Sequence, residues 1–159
     1  MNKEITEQEA LSRLSALCAR GEHSSGEMLE KMYRWGIDDE AQARIMAYLV
    51  EHKYIDDERF TRAFVHDKIA YNQWGRRKIE QALWAKGVDK SVQAKILDKI
   101  DDAEYLTVLK PLLQSKRRSV KAASDYELRG KLIRFALQRG FTLDIISQCI
   151  DGTEGYEET

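Results

Sequence analysis

Proline occurs once in this 159-residue chain, at Pro111, and cysteine twice, at Cys18 and Cys149. With a single residue unable to donate a backbone hydrogen bond, helices can run uninterrupted nearly everywhere. The two cysteines lie far apart, each inside an apolar periodic segment, which argues against a disulfide scaffold and for buried thiols. No apolar run reaches the roughly 20 residues a membrane helix needs, and MNKEITEQEA has no apolar stretch of the kind a secretory signal carries. A cytoplasmic monomer without membrane contact is the expectation. His23, His52 and His66 have no zinc-ligand spacing with one another or with Cys18. Glycine-rich phosphate loops, nucleophile elbows and Ser/His/Asp orders are missing too, so no metal, cofactor or catalytic group is expected.

What is present is a balance of 43% apolar and 33% charged residues, which suits a folded helical chain. The formal charge of -1 conceals a segregation. Residues 1–60 carry 8 basic against 13 acidic side chains, residues 61–121 carry 14 against 7, and residues 122–159 carry 4 against 7. A basic middle between acidic ends can attract a polyanion although the whole is near neutral.

The chain also repeats itself. GIDDEAQARIM from Gly36 is echoed by GVDKSVQAKIL from Gly87 and, more faintly, by GFTLDIISQCI from Gly140. With the three glycines superposed, Ala41, Val92 and Ile145 coincide, as do Ile45, Ile96 and Cys149. Upstream, Met28 aligns with Ile79 and Leu132, Met32 with Leu83 and Ala136, and Tyr33 with Trp84 and Leu137. Apolar character recurs while charge drifts, so the copies are expected to share a buried face. YIDDERF from Tyr54 and KIDDAEY from Lys99 form a second echo, in which Asp56 and Asp57 suit a helix N-cap and first turn better than a paired-carboxylate site.

Apolar spacing of three and four residues predicts an all-α protein. Capping-box spacing marks helix starts at Thr6 with Glu9, Ser24 with Glu27, Asp101 with Glu104 and Ser124 with Glu127. Gly36, Gly87 and Gly140 suit left-handed helix ends, and Asp38, Asp89 and Thr142 stand ready to cap the helices that follow. The predicted helices are 6–20, 25–36 and 38–52; 57–71, 76–87 and 89–100; 102–117, 125–140 and 142–150. Three tandem three-helix repeats result, over 1–53, 54–100 and 101–150. Pro111 is expected to kink the seventh helix, and the acidic tail 151–159 to fray.

These strings, in this order, resemble the RecX family of bacterial regulators of the recombinase RecA. The match rests on YIDDERFTRAFV with Phe60, then Gly75, then KIEQALWAKGV, and on KLIRFALQRGF near the end. Two positions depart from the family pattern: Arg76 follows Gly75 where proline is common, and Lys53 precedes Tyr54 where glycine is common. The first change is expected to lengthen the fifth helix or alter its entry angle. The resemblance implies an elongated, curved molecule without catalytic activity. It also implies a partner: the RecA filament on DNA, whose ATP hydrolysis, strand exchange and growth the family depresses.

Candidate contacts follow from charge. Trp74 with Arg76, Arg77 and Lys78 offers phosphate contacts and a stacking ring; the other reading is a solvated face with a core tryptophan. Cations at a helix N-terminus oppose its dipole, which tilts the balance toward function. Lys116, Arg117, Arg118 and Lys121 fall in the longest connection, as a mobile anion contact or as cations favouring a helix C-terminus. Lys86, Arg134 and Arg139 match basic positions common in the family, although a surface helix carries such residues anyway. Trp35 and Trp84, on or beside repeated apolar slots, are expected to pack. Two other functions stay open: a stand-alone DNA-binding helical protein, and a scaffold that binds only protein.

Overall fold

The structure, a computed structural model, describes residues 4–157, with side chains through Asp151. Among the described residues the chain forms nine helices and no strand: α1 Glu7–Arg20, α2 Ser25–Arg34, α3 Asp39–Glu51, α4 Asp57–Ala70, α5 Arg76–Ala85, α6 Lys90–Leu97, α7 Asp102–Ser119, α8 Asp125–Gln138 and α9 Leu143–Glu157.

The helix starts are fixed by side chains that accept otherwise unpaired amides. Thr6 accepts from the Glu9 amide at 3.1 Å and Asp38 from the Ala41 amide at 2.8 Å. Ser24 and Glu27 form a complete capping box. Ser124 accepts from the Glu127 amide at 3.2 Å, while the Glu127 carboxylate takes the Ala123 amide at 3.0 Å. Asp56 accepts from the Glu58 and Arg59 amides at the start of α4. Asp101 departs from this pattern and makes no side-chain cap bond. Its expected partner Glu104 instead meets His66 Nδ1 at 2.5 Å, so the box has lost one member.

Gly36, Gly87 and Gly140 have φ of 74°, 74° and 91°, the left-handed conformation that ends α2, α5 and α8. The first two turns share one more device. Gln42 donates its amide to the Ile37 carbonyl at 2.8 Å, and Gln93 donates to the Val88 carbonyl at 3.1 Å. The Gln-Ala step of both echoed strings therefore ties the new helix to the turn before it.

Two helix ends differ from the reading of the sequence. α7 passes through Pro111 as expected, since Pro111 is exposed and water can satisfy the carbonyl it leaves unpaired, but the helix runs on past 117 to Ser119. The backbone of α9 continues to Glu157, through most of the stretch expected to fray; once a helix is nucleated, each further residue adds one hydrogen bond. Residues 158 and 159 of that tail lie outside the described residues.

The chain divides into two compact units: Met1–Ala63 with Leu83–Ile96, and Phe64–Ala82 with Leu97–Thr159. In the first, α3 packs on α1 and α2 around Leu14, Met28, Met32, Ile45 and Leu49. In the second, α7, α8 and α9 pack together, with Leu109, Leu132, Ala136, Phe141 and Ile146 buried. Residues of the middle repeat therefore fall in both units.

The reason lies at two glycines. In the first unit a Cβ on Gly26 would sit 2.3 Å from the Lys86 carbonyl oxygen, so the start of α2 lies directly on the turn between α5 and α6. In the second unit a Cβ on Gly75 would sit 2.3 Å from Phe141 Cα, so the start of α5 lies on the turn between α8 and α9. Each unit is thus built around one junction of the same kind, a helix start seated on a glycine turn.

Four of the repeated slots keep their side chains out of water: Met28/Ile79/Leu132, Met32/Leu83/Ala136 and Ile45/Ile96/Cys149 are buried, and Ala41/Val92/Ile145 buried or half-buried. The fifth slot does not. Tyr33, Trp84 and Leu137 are 79%, 61% and 41% exposed. That slot directly follows the Met32/Leu83/Ala136 slot, and one residue along a helix turns a side chain by about 100°, off the buried stripe. Trp84 is therefore not packed in the core, whereas Trp35 is half-buried under the Arg13 guanidinium at 5.6 Å.

Candidate interaction face

The second unit gathers cations and aromatic rings around the start of α5. The Gly75 amide donates to the Arg139 carbonyl at 2.8 Å and the Arg77 amide to the Gly140 carbonyl at 2.9 Å. Amides that a helix start leaves unpaired are thus satisfied by the α8–α9 turn, and the carbonyl dipoles there offset the penalty of cations at this end.

The three basic residues of that start have different surroundings. Arg76 is half-buried, with Asp98 at 2.7 Å and Glu80 at 3.6 Å. Burial opposes its charge, but the two carboxylates outweigh it and hold the guanidinium proton more tightly than usual. Arg76 is thereby part of the internal framework. Arg77 is exposed. Lys78 places its ammonium 4.9 Å from the Trp74 ring centre, and Lys68 approaches the same ring at 5.1 Å and Phe64 at 5.2 Å. Trp74 is half-buried, and both ammonium groups approach its ring.

Arg139 extends this arrangement. Its Nη1 donates to the Asn72 carbonyl at 3.2 Å, and its guanidinium lies 5.3 Å from the Phe135 ring, which the Lys116 ammonium approaches at 5.0 Å. Beside Phe135 runs an open groove of about 400 Å³, lined by Lys116, Lys121, Lys131 and Arg134. Lys131 is engaged, bonded to the Lys121 carbonyl at 2.7 Å and paired with Glu127 at 3.1 Å. The Ala123 amide and Lys131 hold the Glu127 carboxyl below its ordinary range.

Of the two readings of the second basic run, the structure has the helix C-terminus: Lys116, Arg117 and Arg118 belong to the last turn of α7, where cations complement the carbonyl end of the dipole, and only Lys121 lies in the connection. Arg117 and Arg118 line a separate cavity of about 210 Å³ with Leu113 and Ile150. Lys86 belongs to the first unit, where its ammonium is 3.7 Å from Glu27 and its carbonyl accepts the Ser24 hydroxyl at 2.6 Å. Lys68, Phe64, Phe135 and Lys131 were not singled out from the sequence. A signal for three of them was present: Phe64 with Lys68, Trp74 with Lys78 and Phe135 with Arg139 are aromatic–cation pairs four residues apart on one helix or across one of its ends.

Cys18 and Cys149 are not joined in a disulfide, and burial raises the pKa of both thiols. Among the described residues no group of three or more His, Cys, Asp or Glu is placed to hold a metal ion, and no helix is long and apolar enough to cross a membrane.

Comparison with known proteins decides the family. The family model described as RecX, second three-helix domain, matches residues 56–97, and the one described as RecX, third three-helix domain, matches residues 102–150. The regulatory protein RecX of Acinetobacter baylyi is 30% identical over 139 residues, covering 87% of this chain and 84% of that protein. This chain belongs to the RecX family. A second RecX relative, from Clostridium botulinum, is 30% identical over 130 residues that make up 80% of this chain but 60% of its own length. The crystal structure of RecX from Lactobacillus salivarius superposes with a TM-score of 0.85 at 19% identity, covering 93% of this chain and 96% of that one, a likeness of fold.

Both departures from the RecX pattern now have a structural account. Lys53 adopts φ of 61°, a left-handed conformation that glycine reaches without strain. Arg76 is the first residue of α5, the helical position that best tolerates proline, so α5 is not lengthened by the change.

Proposed function

We propose that this RecX family member is a regulatory protein without catalytic activity, a cytoplasmic monomer that binds RecA filaments on DNA and depresses their ATP hydrolysis, strand exchange and growth. The observation that carries the reading is the basic and aromatic face of the second unit: Lys68 and Lys78 over Trp74, then Arg139 and Lys116 over Phe135. Cations interleaved with rings suit a nucleic-acid backbone with unstacked bases, such as the DNA a filament carries. Membership of a family whose relatives are named regulatory proteins supports the same assignment.

The inhibition follows from binding alone. A protein that binds the filament in one state more tightly than in another shifts it by the ratio of the two affinities, with no bond made or broken. RecA ATPase, assayed on single-stranded DNA at low salt, is expected to fall progressively as this protein is added. The effect is expected to weaken as salt rises, because bound counterions are released on phosphate contact. An ATPase rate that does not change at low salt contradicts the proposal.

A further inference from the structure

A cavity of about 240 Å³ in the second unit, apart from the basic face, is lined by Arg76, Asp98, Asp102, Tyr105, Phe141 and Asp144 among others. We propose that it is a binding site for a single cationic head group, a guanidinium or primary ammonium.

When YIDDERF is laid on KIDDAEY, Phe60 corresponds to Tyr105 and Asp57 to Asp102; in the register of Gly36 on Gly87, Ser25 corresponds to Arg76. Phe60 and Tyr105 are 6% and 5% exposed, so the packing slot requires a ring and nothing more. Tyr105 adds a hydroxyl that is buried without a hydrogen-bond partner. A buried, unpaired hydroxyl is destabilising, and phenylalanine in the same slot would avoid that cost.

The junctions differ in a matching way. In the first unit the Ser25 amide and hydroxyl donate to the two Asp57 oxygens at 2.7 and 2.5 Å, joining the starts of α2 and α4 directly. In the second unit Arg76 turns instead to Asp98 and Glu80, and Asp102 takes the Gln148 amide at 3.0 Å. Gln148 also donates to Asp144, at 3.2 Å. The cavity is lined by Arg76 and Asp102, the second unit's counterparts of the directly bonded Ser25 and Asp57.

Its chemistry is acidic. Three carboxylates face one guanidinium that is already satisfied, and Asp102 and Asp144 share a single amide donor. A carboxylate has about four acceptor positions, so both retain capacity for N–H donors. Leu97, Ile100 and Ile145 give apolar wall for an aliphatic stem. Desolvation pushes the Tyr105 hydroxyl up to about 12, so it stays neutral at physiological pH and can accept a further N–H. A cation with several donors on a carbon stem meets all of these demands.

None of these groups is used by the basic face, so an empty cavity would leave the RecA proposal untouched. The test is a titration of the full chain with N-acetyl-arginine amide, followed by NMR at the Tyr105 ring, against N-acetyl-citrulline amide as a neutral isostere. A saturable shift is expected with the arginine compound, and binding at least tenfold weaker with the citrulline one. Tyr105→Phe should weaken binding several-fold with a thermal midpoint unchanged or raised, and Asp102→Asn with Asp144→Asn should abolish it. Tighter binding of an acetylated Gly-Arg-Gly amide than of the arginine amide assigns the site to a partner's side chain, and the reverse assigns it to a free solute. Equal response to the citrulline compound, no saturation, or undiminished affinity in Tyr105→Phe overturns the proposal.

Discussion

Single residues carry the junctions on which each unit is built. A methyl group on Gly75 would meet the Phe141 backbone and the Gly140 carbonyl carbon within 2.4 Å, and backbone cannot swing aside as a flexible side chain can. Gly75→Ala is expected to destabilise the protein by at least ~2 kcal/mol in urea denaturation, whereas alanine at Gly21, where a Cβ meets nothing within 4 Å, should be nearly neutral. Glu27 carries a shifted carboxyl at the first junction. Burial tends to raise its pKa, but hydrogen bonds from His23 and the Ser24 amide and the charge of Lys86 outweigh that and hold it below its ordinary value of 4.5. A carboxyl with a lowered folded pKa stabilises fully above its unfolded pKa, and the contribution disappears as pH falls through the folded value. Thermal midpoints measured from pH 7 downward should therefore fall more steeply below about pH 4.5 in the native protein than in Glu27→Gln.

At the scale of helices, the capping residues separate those that hold a start from those that only look as if they do. Ser24→Ala removes an N-cap and also leaves the Lys86 carbonyl without its hydroxyl donor, so a loss of ~1–3 kcal/mol is expected. Asp101→Ala removes no side-chain cap bond and should stay within ~0.5 kcal/mol by the same urea measurement. The sequence shows the two as equivalent boxes, because spacing records which bonds are within reach and not which partner competes for them. His66 is thirty-eight residues from Glu104, and that competition is invisible in any local window. Helix ends written as left-handed glycines were legible, since a positive φ favours that residue type. The Tyr33, Trp84 and Leu137 slot was misread because an apolar residue repeated in register resembles core whichever way it faces. Arg76 was legible as a cation but not as a paired one, since Asp98 reaches it from the far end of α6.

Over the whole molecule, three repeats in the sequence fold into two compact units, and the middle repeat contributes to both. The three-helix pattern is local and therefore readable. The division is set by where Gly26 and Gly75 let a helix start lie against a turn more than fifty residues away, which no periodicity reports. The same principle governs the proposed interaction face: charge counting located a basic middle that includes Lys116, but Phe135 and Arg139, from the acidic last segment, join it only in the fold. The most direct test is the inhibition of RecA ATPase by the quadruple variant Lys68→Glu, Arg77→Glu, Lys78→Glu and Arg134→Glu, compared with the native chain at low salt after circular dichroism has established equal helix content. Loss of potency by at least about tenfold is predicted, as several phosphate contacts are reversed together. Inhibition by the variant equal to that of the native chain would contradict the assignment of this face.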